Sequence, residues 1–292
     1  MTRSSGHPPT HAVSFDLEHW HSATLLADEV DDPVDRIRES VTTVLDLLAR
    51  HDVCATFFVV GEVAADYPDL IRDIADAGHE IGSHGHTHTP LFDLSPDAFE
   101  RELRESSAAI ERASGVEPVG FRAPNFSVTR ETQWALRVLA SSEYRYDSSV
   151  FPVKTPMYGV SGAPIWPYIA TEADPFRDRS EGTEDGIVEV PVSVAGSRLR
   201  VPIAGGFYVR VLPTWVLKRG IENLERLGIP AVLYFHPWEF NPEIRVGSPP
   251  FHSRFVSFHG IEKTEAKLDR LLDSFEWGTV EAVATRTAER HR

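Results

Sequence analysis

Residues 55–88 read ATFFVVGEVAADYPDLIRDIADAGHEIGSHGHTH, and the order of signals in this stretch decides the fold class. ATFFVV (55–60) is an unbroken apolar run of strand length, as expected of a strand buried on both faces. Pro68 to Ala77 reads as a helix ended by Gly78. HEIGSH (79–84) is a further strand that opens into a loop of Gly, Ser and Thr. A strand, a helix and a strand in succession form the repeating unit of a parallel sheet wrapped by helices.

The same alternation continues in both directions. HAVSF (11–15) reads as the first strand, and Pro33 to Arg50 carries a helical stripe at Val34, Ile37, Val41, Val44, Leu45 and Leu48, with Asp32 and Pro33 as its start signal. Ser95 to Ala113 is a long helix stopped by Gly115. PVGFRAP (118–124) is a strand, Arg130 to Ala140 a helix, and YRYD (144–147) a short strand. GIVEVPVSV (186–194) and AVLYFH (231–236) are strands on either side of a helix from Pro213 to Leu227, and a last helix runs from Ile261 to Phe275. Val153 to Gly186, rich in Pro, Gly and charge, reads as long connecting loops. There is no internal repeat. The expected organisation is a disordered N-terminus over 1–11 and a single domain over 12–292.

The chain has 292 residues, of which 41% are apolar, enough for a large core. Its formal charge of -15 would repel a polyanion, and no Lys/Arg run offers a compensating patch, which excludes nucleic acid as a partner. Cys54 is the only cysteine, so an internal disulfide and a Cys-based metal site are excluded. Its apolar neighbours suggest a buried structural thiol. The first fifteen residues hold no apolar signal core, and no run approaches the roughly 18 apolar residues of a membrane span. No membrane span is expected, and the cytoplasm is the expected compartment.

Polar residues recur where the apolar strand segments end: Asp16, Glu18, His84, His88, Arg122, Asp147 and His236. Active sites of parallel α/β proteins assemble at these carboxyl ends. His84 and His88 are four apart. The 13 histidines give about 0.6 such pairs by chance. His7 and His11 form a second pair, taken as chance. SHGHTH (83–88) carries more weight because it directly follows a strand. FDLEHW (15–20) adds two carboxylates, and two His with one carboxylate leave coordination positions open, the pattern of a catalytic zinc site. His86 should point elsewhere; His19 and His21 are lower-ranked alternative ligands.

Metal-assisted hydrolysis of an amide needs a base for the attacking water, an acid for the leaving amine and a group to hold the oxyanion. Asp16 and Glu18 lie on one side of an extended backbone, so one can bind metal while the other acts as base. His236 ends an apolar strand and is a candidate acid. Arg122 can orient a carboxylate or form a structural salt bridge. Asp147 can hold His236 in its charged form or cap a turn. Trp20, Trp238, Phe126 and Phe207 are candidate sugar-stacking faces, against the reading that they are core.

The ordered set SFDLEHW (14–20), SHGHTH (83–88), FRAPNF (121–126), YDSSVF (146–151) and LYFHPWE (233–239) resembles the five motifs of the polysaccharide deacetylase family with the NodB homology domain. VPIAGGFYVRVLP (201–213), FHPWEFNPE (235–243) and RFVSFHGIEKTEAKLDRLLDSF (254–275) resemble the subgroup whose C-terminal extension, here from about residue 240, is found in exopolysaccharide-biosynthesis deacetylases. The resemblance covers about Val13 to Val283. It implies an α/β fold, a deformed (β/α) barrel with about seven parallel strands. It also implies hydrolysis of the N-acetyl amide of amino sugars in a polysaccharide or lipid-linked glycan, and one divalent metal, zinc first and cobalt, manganese or iron as alternatives.

Carried over by position, the resemblance makes Asp16 the base, Glu18, His84 and His88 the metal ligands, and Arg122 the residue that orients the base. His236 becomes the acid and Asp147 its partner, with the Asn125 backbone at the oxyanion and Trp238 at the substrate. Two positions depart from the family. Asp16-Leu17-Glu18 stands where adjacent aspartates are usual, and Asn125 where a Tyr is usual. The first departure resembles an allantoinase-like variant subgroup and keeps a cyclic amide or ureide hydrolase as an alternative. A glycan-binding module with a dead site is the third reading.

Overall fold

β1 (His11–Leu17) is buried along its whole length and sits at the centre of the sheet, with β2 (Thr56–Val59) on one side and β10 on the other. The structure, a computed structural model, describes residues 10–22, 25–26, 30, 33–155, 158–178, 186–196, 200–244 and 250–291. Between β1 and β2 runs α1 (Ile37–Arg50), then come α2 (Gly61–Asp66), α3 (Pro68–Asp76), β3 (Glu80–Ser83), α4 (Pro96–Ser114), β4 (Gly120–Phe121), α5 (Trp134–Ala140) and β5 (Tyr146–Asp147). The chain continues through β6 (Tyr168–Ala170), β7 (Ile187–Glu189), β8 (Val194–Ala195), β9 (Val201–Pro202), α6 (Gly206–Val211) and α7 (Thr214–Arg226). It ends with β10 (Val232–Phe235), α8 (Phe251–Phe258), α9 (Thr264–Leu272), β11 (Trp277–Gly278) and α10 (Val280–Arg290).

The main sheet runs β10-β1-β2-β3-β4-β5-β7-β6, with β11 beside the start of β1. Every pair is parallel except β6 with β7, so seven parallel strands lie between β10 and β7. The sheet curls until the segment after β7 meets β10: Ser193 N donates to Val232 O, and Val232 N donates to Ser193 Oγ. The barrel expected from sequence is therefore present. Register sets the site. Leu17, Val59, Ser83, Phe121 and Asp147 align across the strands, so Glu18, His84 and Arg122 leave the sheet side by side. Phe15 pairs with Phe235, which sets His236 level with Asp16.

Several boundaries differ from expectation, each for a local reason. α1 starts at Ile37 rather than Pro33, because the Asp35 carboxylate accepts from Ile37 N (2.9 Å) and Val34 stays 64% exposed; Asp32 lies outside the described residues. α5 starts at Trp134 rather than Arg130, since Thr132 Oγ1 ties up Thr129 N and Ser127 O in a turn. The last expected helix divides into a 3-10 turn (Ile261–Lys263) and α9. β6 lies inside the stretch read as loops, and α6, α8 and α10 have no counterpart in the sequence reading. Cys54 is exposed rather than buried, because the buried run of β2 begins at Ala55. His11 is fully buried in β1, so the expected disordered N-terminus does not reach it; residues 1–9, His7 included, lie outside the described residues.

Candidate metal and hydrolytic site

Glu18, His84 and His88 each present one ligand atom, and these atoms lie within 4.8 Å of one another. The extended backbone of β1 brings Asp16 and Glu18 to one side, as alternate residues of a strand. His84 follows β3 and is buried; its Nδ1 donates to Arg122 O at 2.7 Å, which leaves Nε2 free to ligate. Burial takes the His84 imidazole down to about 4, so it stays neutral, the form that binds a cation.

His88 reaches the cluster through strained backbone. Its φ is +59°, and of the four non-glycine residues with positive φ among those described, three (His88, Asn125 and Phe126) belong to this site. Such conformations cost about 1 kcal/mol or more each and persist where the surroundings enforce them. Here the enforcing group is Glu102 on α4. Its carboxylate accepts from His86 N (2.7 Å), Thr87 N (2.9 Å) and Thr87 Oγ1 (2.9 Å). His88 Nε2 then meets Glu18 Oε2 at 2.6 Å. Burial alone would raise the Glu18 carboxyl, but the His88 and His236 charges and the His88 hydrogen bond bring it down to about 2. The donor set fits a divalent ion: an ionised carboxylate and two imidazoles at one point. His86 turns away over Gly61, where a Cβ would collide with its ring, and His19 and His21 stack on each other outside the cluster.

Behind these ligands sits a buried charge clamp. Arg122 is fully buried and donates to Asp16 Oδ1 (2.7 Å), Ser14 Oγ (2.8 Å), Ser148 O (3.0 Å) and Ser148 Oγ (2.9 Å). The Phe58 ring lies 4.2 Å from its guanidinium carbon. Donors fixed in this way hold the Asp16 carboxylate in one position beside the ligands.

His236 faces the cluster from the opposite wall, with Nε2 3.6 Å from Glu18 Oε1. Its Nδ1 is hydrogen-bonded to Glu239 Oε1 at 2.9 Å, and Glu239 Oε1 also accepts from His236 N at 3.1 Å. This corrects the expectation that Asp147 partners His236. Asp147 lies opposite Glu189 on the neighbouring strand and is bonded to Ser149. Burial raises both carboxyls above the usual carboxylate range.

Asp16, Glu18, His84, His88, Asn125, His236 and Trp238 all line one cavity of about 160 Å³. That is small beside the roughly 300–1,000 Å³ of typical ligand pockets. Of the aromatics proposed as sugar platforms, Trp20 is core: it packs with Trp238, Leu26 and Ile244, and its Nε1 donates to Val34 O (2.9 Å). Phe126 is buried in the cavity wall, whereas Phe207 is half-buried at the lining. Trp238 is buried and stacks on His236 (5.4 Å, 23°), and its Nε1 has no hydrogen-bond partner among the described residues. Glu102, Glu239 and Arg210 escaped the sequence reading. Only Glu239 carried a local signal, its spacing of three from His236 across a helical turn.

Residues 23–146 match the polysaccharide deacetylase family, and residues 148–285 match a domain of unknown function, DUF3473. Asp16 and Glu18 precede the first match, and His236 falls in the second. A chitooligosaccharide deacetylase of Rhizobium leguminosarum bv. trifolii is 46% identical over 70 residues, 24% of this chain and 33% of that protein. A peptidoglycan-N-acetylglucosamine deacetylase of Bacillus cereus is 32% identical over 98 residues, 33% of this chain and 36% of that protein. The chain thus spans about a third of the length of these relatives. A Mycobacterium smegmatis crystal structure described as a polysaccharide deacetylase shares the fold, with a TM-score of 0.65 at 21% identity over 99% of this chain and 93% of that one.

Proposed function

Because the chain belongs to the polysaccharide deacetylase family, we propose that it hydrolyses the N-acetyl amide of amino sugars in a glycan. One observation carries the reading: the ligand atoms of Glu18, His84 and His88 converge within 4.8 Å, in the cavity that Asp16 and His236 also line. These three residues would hold one divalent ion, with zinc the first choice for this donor set, and the ion supplies Lewis acidity to the scissile carbonyl and its attacking water. Asp16, fixed by Arg122, accepts the proton of the water that attacks the carbonyl carbon. The Asn125 N–H is our candidate for holding the resulting oxyanion. His236 Nε2 then gives its proton to the amine nitrogen as the C–N bond breaks, releasing acetate and a free amino sugar. Trp238 Nε1, a donor with no partner among the described residues, is suited to a substrate oxygen.

The cavity admits the acetamido end of a substrate, and a sugar chain would lie across its mouth. We read residues 12–292 as one domain, because β10 from the second matched segment pairs directly with β1. The segments 201–213 and 254–275 support membership of the exopolysaccharide-linked subgroup. No helix among the described residues is long and apolar enough to cross a membrane.

The test is acetate release from chitin oligosaccharides by purified protein, with ammonia release from ureides measured in parallel. Acetate release should stop with a chelator, return with zinc and fall about 10²- to 10⁴-fold in Asp16→Asn. Acetate release that survives both treatments would sink the mechanism. Turnover of ureides alone would give the site to the alternative substrate.

A further inference from the structure

We propose that Glu239, held by Arg210, is the positioning residue of His236, and that it makes the acid step of the reaction depend on the C-terminal turn of α8. The inference rests on the hydrolytic reading above and assigns a second charge clamp to the same cavity.

Glu239 is buried and uses both carboxylate oxygens. Oε1 takes His236 Nδ1 and the His236 backbone N–H, which fixes both the ring and the peptide that carries it. Oε2 is paired with Arg210 NH1. With Nδ1 committed as the donor to Glu239, the ring is held in one orientation with Nε2 toward Glu18. The backbone of α6 is shaped around this carboxylate: Gly206 opens the helix at the one place where a Cβ would overlap Glu239.

Arg210 is itself buried, and its remaining donors all go to a single piece of chain. Nε donates to His259 O (3.0 Å), and NH2 to Val256 O (2.6 Å) and Ser257 O (3.2 Å). These carbonyls close the last turn of α8, where the chain leaves helical geometry. Val256 and Ser257 also line the cavity. One guanidinium therefore joins the wall of the cavity to the carboxylate that aims the histidine, and besides His236 itself no other ionisable side chain pairs with Glu239 among the described residues.

The role is one of positioning, so the test must separate it from simple loss of structure. Protonation of a leaving amine is needed to break an amide, whereas an aryl ester expels its phenolate without help. Wild type, Glu239→Gln, Arg210→Lys and Asp147→Asn are compared, all as full-length, zinc-loaded protein, on chitin oligosaccharides and on 4-nitrophenyl acetate. We expect Glu239→Gln and Arg210→Lys to lose at least tenfold in kcat on the oligosaccharide, with KM changed less than twofold. Ester turnover and bound zinc should stay within twofold of wild type, and Asp147→Asn should show no such split. Equal losses on both substrates, or the split appearing in Asp147→Asn instead, would overturn the proposal. A second measurement needs no turnover. The ¹⁵N shift of His236 Nδ1, assigned by its disappearance in His236→Asn, should move in Glu239→Gln and not in Asp147→Asn; an unmoved shift refutes the pairing. Wild type that releases no acetate from any glycan would instead sink the functional reading, and the shift would still decide the pairing.

Discussion

Two buried arginines hold two carboxylates on opposite sides of one cavity, and they are anchored differently. Arg122 holds Asp16, and its other donors go to Ser14 on β1 and to Ser148 directly after β5, so this clamp is tied to the sheet. Arg210 holds Glu239, and its other donors go to carbonyls at the end of α8, a peripheral helix. One wall is therefore part of the barrel's own framework. The opposite wall takes its shape from a segment that packs onto the barrel from outside.

The largest effect should come from breaking the first clamp. Arg122→Ala leaves Asp16 as an unpaired buried charge, which typically costs about 3–5 kcal/mol. For a chain of 292 residues that lowers Tm by roughly 5–8 °C. Arg210→Ala also strands a carboxylate, but α8 can loosen and admit water to it, so its Tm should fall by less. Thermal melts of the two variants decide the comparison. A larger drop for Arg210 would mean that α8 belongs to the cooperative core.

A smaller and more local effect sharpens the same contrast. Glu102 enforces the backbone that turns His88 into the ligand cluster, and it touches neither the metal position nor the substrate. Glu102→Gln removes the charge-assisted bonds on the loop and should weaken zinc affinity about 10-fold, in the range found for groups that support metal ligands. Competition with a chromophoric chelator measures this. Unchanged affinity would show that the strained His88 conformation holds without Glu102.

The two walls were not equally legible in the sequence. Asp16 lies at the end of an apolar strand, Glu18, His84, His88 and Arg122 come just after one, and a parallel barrel brings all strand ends to one rim. Local pattern plus one topological rule was therefore enough. The second wall depends on pairs distant in sequence. Arg210 and Glu239 are 29 residues apart, on α6 and after β10, and no periodicity links them. α8 gave no helical signal because the residues it buries are Ser253 and Ser257, while Phe251 remains exposed. The same limit explains Asp147. Its place at a strand end marked it as a site residue, but only the register of β5 with β7 shows that it faces Glu189.

The smallest effect separates the two ends of β1 itself. At the rim, Asp16 is buried with a charged partner; at the other end, His11 is buried without one that needs it charged. His11 Nδ1 accepts from Ala231 N (2.9 Å), so a second proton would break that bond, and burial lowers the imidazole to about 4. The unfolded chain has an ordinary histidine, near 6.5. Between these values the unfolded state binds the extra proton and the folded state does not, so stability falls as pH drops from about 6.5 to about 4. The loss from this group is about 3 kcal/mol at most. His11→Asn keeps an acceptor for Ala231 N and cannot take the proton. Urea unfolding of the variant between pH 7 and pH 4 should show a flatter decline than wild type. Parallel curves would mean that His11 is protonated in the folded protein and that Glu225, 3.3 Å from Nε2, holds it as an ion pair like the one at the rim.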